Sequence, residues 1–197
     1  MNQEQTAKKA IDWKVGTIFM ASLFVAVIGL LNSYPNYWIL PRLGPFLPEI
    51  IRPLILGASV FLVILKYSFT ASFSEHRPKL KWLGLSIDIL LMTVVTFALW
   101  RFSVDMLEMV DSMILFGPSH AVIALAASTA FIILCWRVWG AALAIVGIVA
   151  LFYYFTGPSW PGIFRTAPFN ILSSSAEDLW FNLGEGIVGG ITGILIF

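Results

Sequence analysis

Apolar residues run along this chain in long blocks, each ended by a charge, a proline or paired aromatics. Five blocks, roughly Val15 to Leu31, Leu54 to Phe73, Trp82 to Trp100, His120 to Trp136 and Val138 to Thr156, reach the helical length that about 30 Å of hydrocarbon requires. A sixth, Gly186 to Phe197, covers only about 18 Å at helical rise and is too short to cross alone. Lys8, Lys9 and Lys14 precede the first block, but no small-residue cleavage pattern follows in Asn32-Ser33-Tyr34-Pro35, so it reads as an uncleaved span. Trp82 and Trp100 bracket the third, and Trp136 and Trp139 flank a very tight turn between the fourth and fifth, positions suited to the headgroup level of a bilayer.

The connections carry their own patterns. Phe102, Met106, Met109, Val110, Met113 and Ile114 recur at helical spacing opposite Asp105, Glu108 and Ser112, which predicts an amphipathic helix lying on the outer surface. Ser174-Ser175-Ala176-Glu177 predicts a capping box opening a second surface helix that leads to Leu179, Trp180 and Phe181 at the outer interface. Between Asn32 and Pro53, five prolines (Pro35, Pro41, Pro45, Pro48 and Pro53) predict bends and short extended pieces. The fold class is therefore an all-α integral membrane protein.

Composition supports this and removes other classes. Hydrophobic residues make up 59% of the 197 positions and charged ones 12%, against about 25% charged in a soluble domain, and the mean hydropathy is +0.88. A formal net charge of +1 without a polybasic run argues against nucleic-acid binding. The single cysteine, Cys135, lies in an apolar run, which excludes an intrachain disulfide and a multi-cysteine metal site. Basic residues set the orientation. With the N-terminus cytoplasmic, Lys8, Lys9, Lys14, Arg77, Lys79, Lys81 and Arg137 fall inside against Arg42, Arg52, Arg101 and Arg165 outside, where the acidic Asp105, Glu108, Asp111, Glu177, Asp178 and Glu185 also fall.

Few residues carry chemistry. Gly184 to Gly189 spells G-x-G-x-x-G, but without a preceding strand it is no dinucleotide site. The glycines Gly186, Gly189, Gly190 and Gly193 instead form overlapping small-xxx-small pairs suited to close helix packing. Lys66 and Asp88 lie inside the second and third spans, each 11 positions from a hairpin centred near residue 77. They are expected to form a structural ion pair at equal depth, because unpaired charge there is expensive. His76 and His120 belong to no nucleophile, base or metal pattern, so an enzyme is not expected and no cofactor is implied.

Arg137-Val138-Trp139-Gly140, then Tyr154-Phe155-Thr156-Gly157-Pro158-Ser159-Trp160-Pro161-Gly162, then Leu179-Trp180-Phe181-Asn182-Leu183-Gly184-Glu185-Gly186-Ile187 follow one another in an order and spacing that resemble the N-terminal part of fused permeases of TAXI-type TRAP transporters. The resemblance begins near Pro78; before it the match is one of hydropathy. It implies a four-helix small-subunit domain of Q type over residues 1–136, a connector span and periplasmic segment over 137–185, and over 186–197 a short membrane-inserted helix like the start of the large transport subunit. The implied job is that of an accessory subunit in the cytoplasmic (inner) membrane of a bacterium or archaeon. Its partners would be the large M-type permease subunit, a periplasmic TAXI-type substrate-binding protein and membrane lipid. The large subunit would carry an organic acid or amino acid with sodium, and no transport-site residue maps onto this chain. The resemblance leaves open a separately encoded subunit or one piece of a split permease. Under this reading the Gly186 to Phe197 helix docks the large subunit, and Asp105, Glu108 and Asp111 offer a periplasmic docking surface. The rival expectation, a self-sufficient homo-oligomeric transporter or channel, calls for polar residues along several helices, which the spans lack apart from Lys66, Asp88 and scattered serines and threonines.

Overall fold

The computed structural model describes residues 3–33, 46–76, 80–112, 115–184 and 186–196. The regular elements among the described residues are all helical: α1 (Gln3–Ser33), α2 (Pro48–Lys66), α3 (Phe69–His76), α4 (Lys81–Asp111), α5 (Pro118–Trp139), α6 (Ala141–Thr156), α7 (Ile171–Leu179) and α8 (Ile187–Ile196). Single 3-10 turns at Gly157–Ser159 and Gly162–Phe164 lie between α6 and α7. Five stretches are long and apolar enough to cross a membrane: Val15–Asn32, Pro48–Phe73, Lys81–Met109, Pro118–Trp139 and Ala141–Ser159. The expectations for the 34–45 connection, and those resting on Arg77, Lys79, Met113, Ile114 and Glu185, fall outside the described residues.

The helices depart from the expected boundaries at four places, each for a local reason. α2 begins at Pro48, with Pro53 inside it. Proline at the first helical position lacks only an amide that would have no intrahelical partner, so the proline-rich connection ends earlier than its composition predicts. The second span is interrupted at Tyr67 and Ser68, between α2 and α3. The outer amphipathic helix is no separate element: α4 continues for 31 residues through Trp100 to Asp111, about 46 Å at helical rise. No glycine or proline stands between Trp100 and Ser112 to stop it. Finally, α5 runs on to Trp139, and Gly140 alone makes the turn into α6 with φ +87° and ψ −177°. That backbone region is essentially confined to glycine.

The described chain divides into two compact units, with the division inside α4. The first comprises the chain to Met92 together with the last turns of α8 from Thr192. Here α1 packs against α2, while Phe19, Met20, Leu23, Phe24 and Leu30 remain exposed, as lipid-facing side chains would be. The second unit, Thr93–Ile191, has α5 at its centre, packed by both α6 and α7. Its buried α5 positions are small: Ala121, Ala124, Ala127, Ser128 and Ala130, and small side chains let helix backbones approach closely. Side chains of α6 tie down both the segment that follows it and α7. The Tyr153 hydroxyl donates to the Phe164 carbonyl at 2.8 Å, the Tyr154 hydroxyl donates to Asp178 Oδ2 at 2.8 Å, and the Trp160 indole donates to Thr156 Oγ1 at 2.9 Å.

Candidate functional site

Two buried carboxylates on α4 concentrate the polar chemistry of the described helices. Asp88 is 7% exposed, and it meets the start of α3 rather than a cation. Its Oδ1 accepts the Phe69 amide at 2.9 Å. Its Oδ2 accepts the Thr70 amide at 2.9 Å and the Thr70 hydroxyl at 2.7 Å. Ser68 Oγ takes the next amide, Ala71, at 3.1 Å. The first three amides of α3, which a helix start leaves without intrahelical partners, are thus all satisfied, and the carboxylate sits where the positive end of the helix dipole favours it. One turn earlier on α4, Gly84 makes this approach possible. A Cβ there would come within 2.8 Å of the Phe69 and Thr70 backbone.

The expected ion pair between Lys66 and Asp88 is therefore not formed. Lys66 is exposed at the end of α2, with its ammonium 5.3 Å from the centroid of the Tyr67 ring. Equal distance from the hairpin was a sound guide to depth for two continuous helices. The interruption at Tyr67 and Ser68 instead presents backbone amides to Asp88, and amides satisfy a carboxylate without a counter-charge.

The second carboxylate, Asp105, is fully buried. Arg101, one turn earlier on α4, places a guanidinium nitrogen 2.8 Å from Oδ1, and His120 Nε2 of α5 lies 3.3 Å from Oδ2. Neither approach has hydrogen-bond alignment, so the cluster is held by charge and proximity. The other ring nitrogen, Nδ1, accepts the Gly117 amide at 3.2 Å, and Nε2 also lies 3.5 Å from Arg101 Nη2. His120 is the third helical residue and caps its own helix in the place a glutamate or glutamine takes in a capping box.

Aromatic rings wall this cluster. Phe116 and Phe181 stack at 5.2 Å between centroids, each meets the His120 ring edge-on at about 5.5 Å, and Phe102 stacks on Phe181 at 6.2 Å. Trp180, fully buried beside Phe131, donates its indole N–H to the Ala98 carbonyl at 3.1 Å. Trp180 and Phe181 are thus interior residues of the second unit, not the interface anchors expected. The capping box at Ser174 is also corrected: α7 starts at Ile171, and the Ser174 amide already bonds the Asn170 carbonyl at 2.9 Å as part of the helix.

The expected docking surface changes with these contacts. Asp105 is interior and belongs to the Arg101 and His120 cluster, whereas Glu108 is exposed. The Asp111 side chain lies outside the described residues. Among the four glycines, Gly189 and Gly186 have partners within the chain. A Cβ at Gly189 would collide with the Leu183 carbonyl, and one at Gly186 would stand 3.2 Å from the Asn182 carbonyl. Gly190 is exposed, and a Cβ at Gly193 would meet nothing within 4 Å.

Sequence reasoning missed the Arg101, Asp105 and His120 cluster, although the i,i+4 spacing of arginine and aspartate on a continuous helix was its signal. No protein-family model, no curated protein and no solved structure matches the chain.

Proposed function

We propose that this chain is an accessory membrane subunit that braces a larger transport subunit, in the manner of the small subunit of TAXI-type TRAP permeases, for sodium-coupled uptake of an organic acid or amino acid delivered by a periplasmic binding protein. The observation that carries the reading is the way the two buried carboxylates are engaged. Asp88 caps a helix of the same chain and Asp105 ties α4 to α5. Both hold helices in place, which is the work of a scaffold; a transport path needs polar groups left open to a solute. Helix α6 carries a broad exposed apolar flank including Leu143, Val146, Val149 and Phe152, the kind of surface that lipid or another membrane subunit covers.

The test is purification of the tagged full-length chain from native membranes in mild detergent, followed by mass spectrometry of the intact complex. The expected result is a stoichiometric larger multi-span permease, with uptake restored in proteoliposomes only when both chains and the binding protein are present. Solute or ion flux in proteoliposomes holding this chain alone would overturn the proposal in favour of a self-sufficient transporter or channel.

A further inference from the structure

Between α5 and α6 lies an open apolar cleft of about 460 Å³, running from Trp136 to Thr129 on one wall and from Ala141 to Leu151 on the other. Its one lining hydroxyl, that of Thr129, donates to the Leu125 carbonyl of its own helix at 2.8 Å. An occupant is therefore held by apolar contact.

The dimensions identify the occupant. The lining residues run over seven positions of α5, from Trp136 to Thr129, about 10 Å at helical rise, and over ten positions of α6, from Ala141 to Leu151, about 15 Å. Half of a hydrocarbon core of about 30 Å is nearly the same length. The longer, α6 wall is as deep as one leaflet, which fits an acyl chain; a transmembrane helix of a partner needs a groove along the full thickness. The shallow end carries the features of a headgroup level. Trp136 and Trp139 are both exposed, with Arg137 between them in the chain, and Trp136 itself lines this end of the cleft. Tryptophans favour this level, and a guanidinium complements a phosphate.

We propose that the cleft binds one acyl chain of a glycerophospholipid from the leaflet on the Gly140 side, with the lipid phosphate at the level of Arg137. The lipid completes the α5 and α6 pair and fills a surface that the chain's own side chains leave open. This site does not depend on the subunit reading above.

The test uses the full chain in phosphatidylcholine vesicles containing a trace of phosphatidylglycerol that bears a photoactivatable diazirine near the end of one acyl chain. After illumination, labelled peptides are mapped by mass spectrometry. Labelling should concentrate at Thr129 and Leu151, above the lipid-facing background at Phe19 and Met20. Ile145→Trp, on the exposed lip of the cleft, should reduce cleft labelling about fivefold or more, as overfilling a packed space does, while leaving the background unchanged. Ala144→Phe, which fills the cleft floor, should do the same where it folds. Labelling spread evenly over α1 and α6, or cleft labelling unchanged in Ile145→Trp, would overturn the proposal. Loss of labelling on assembly with a larger subunit would also overturn it, by making the cleft a protein interface.

Discussion

Asp88 and Asp105 are both acidic, both buried and both on α4, yet the groups that the chain brings to each one differ. Asp88 receives two amides and a hydroxyl at the start of an eight-residue helix. Asp105 receives a guanidinium from its own helix and an imidazole from the next. The difference teaches that a carboxylate in apolar surroundings needs donors and positive potential, and that a formal counter-charge is only one source of them. A backbone source is invisible to a search for an opposite charge, because any residue type can supply an amide.

The strongest way to break the comparison is Arg101→Gln, which leaves the Asp105 carboxylate buried without its cation. The expected loss is about 3 kcal/mol, the lower part of the range for stranding one member of a buried pair, since Arg101 is itself one-third exposed. Thermal or denaturant unfolding in detergent micelles reads it. Asp105→Asn in the same chain should recover most of the loss, and additive losses would show that the two residues do not interact.

At the other carboxylate, Asp88→Ala should cost about 2 to 3 kcal/mol, because the Phe69 and Thr70 amides lose their acceptor where water is scarce. Asp88→Asn keeps one side-chain carbonyl and should fall between that variant and the parent. Equal unfolding midpoints for Asp88→Ala and the parent would remove the cap from the account.

A smaller effect is expected of Trp180→Phe. It keeps most of the ring packing but removes the indole hydrogen bond to Ala98, at a cost of about 1 kcal/mol. Smallest of all is Lys66→Met. With the Asp88 carboxylate already satisfied by amides, this change should leave the unfolding midpoint where it was, and a double-mutant cycle with Asp88→Asn should be additive. A coupling of the kind seen across a buried ion pair would restore the Lys66 to Asp88 bridge and erase the distinction between the two sites.

Much of the helix inventory was legible in the hydropathy pattern, since length and continuity of apolar residues are properties of the side chains alone. The interruption at Tyr67 and Ser68 was not, because no glycine or proline marks it and both flanks stay apolar. Its available signal was Ser68, a residue type that caps helices, followed by Thr70 and Ser72. The burial of Asp105 was missed for a related reason. Acidic residues beyond Trp100 read as a solvated face until α4 is seen to continue and to bring Arg101 and His120 to the same carboxylate. Gly140 illustrates the opposite case: the tight turn was legible beside Trp136 and Trp139, and the structure moves it by a few residues to the one glycine that can take its backbone conformation.

The bond from Trp180 to Ala98 joins residues 82 positions apart, and this has a consequence for biogenesis. At synthesis rates of about 5 to 20 residues per second, the ribosome delivers Trp180 roughly 4 to 16 s after Ala98. For that interval the Ala98 carbonyl and the wall of the Asp105 cluster lack the rings that cover them in the finished fold. The arrival of Trp180 and Phe181 completes this part of the core, so its last-made contact depends on the last fifth of the chain.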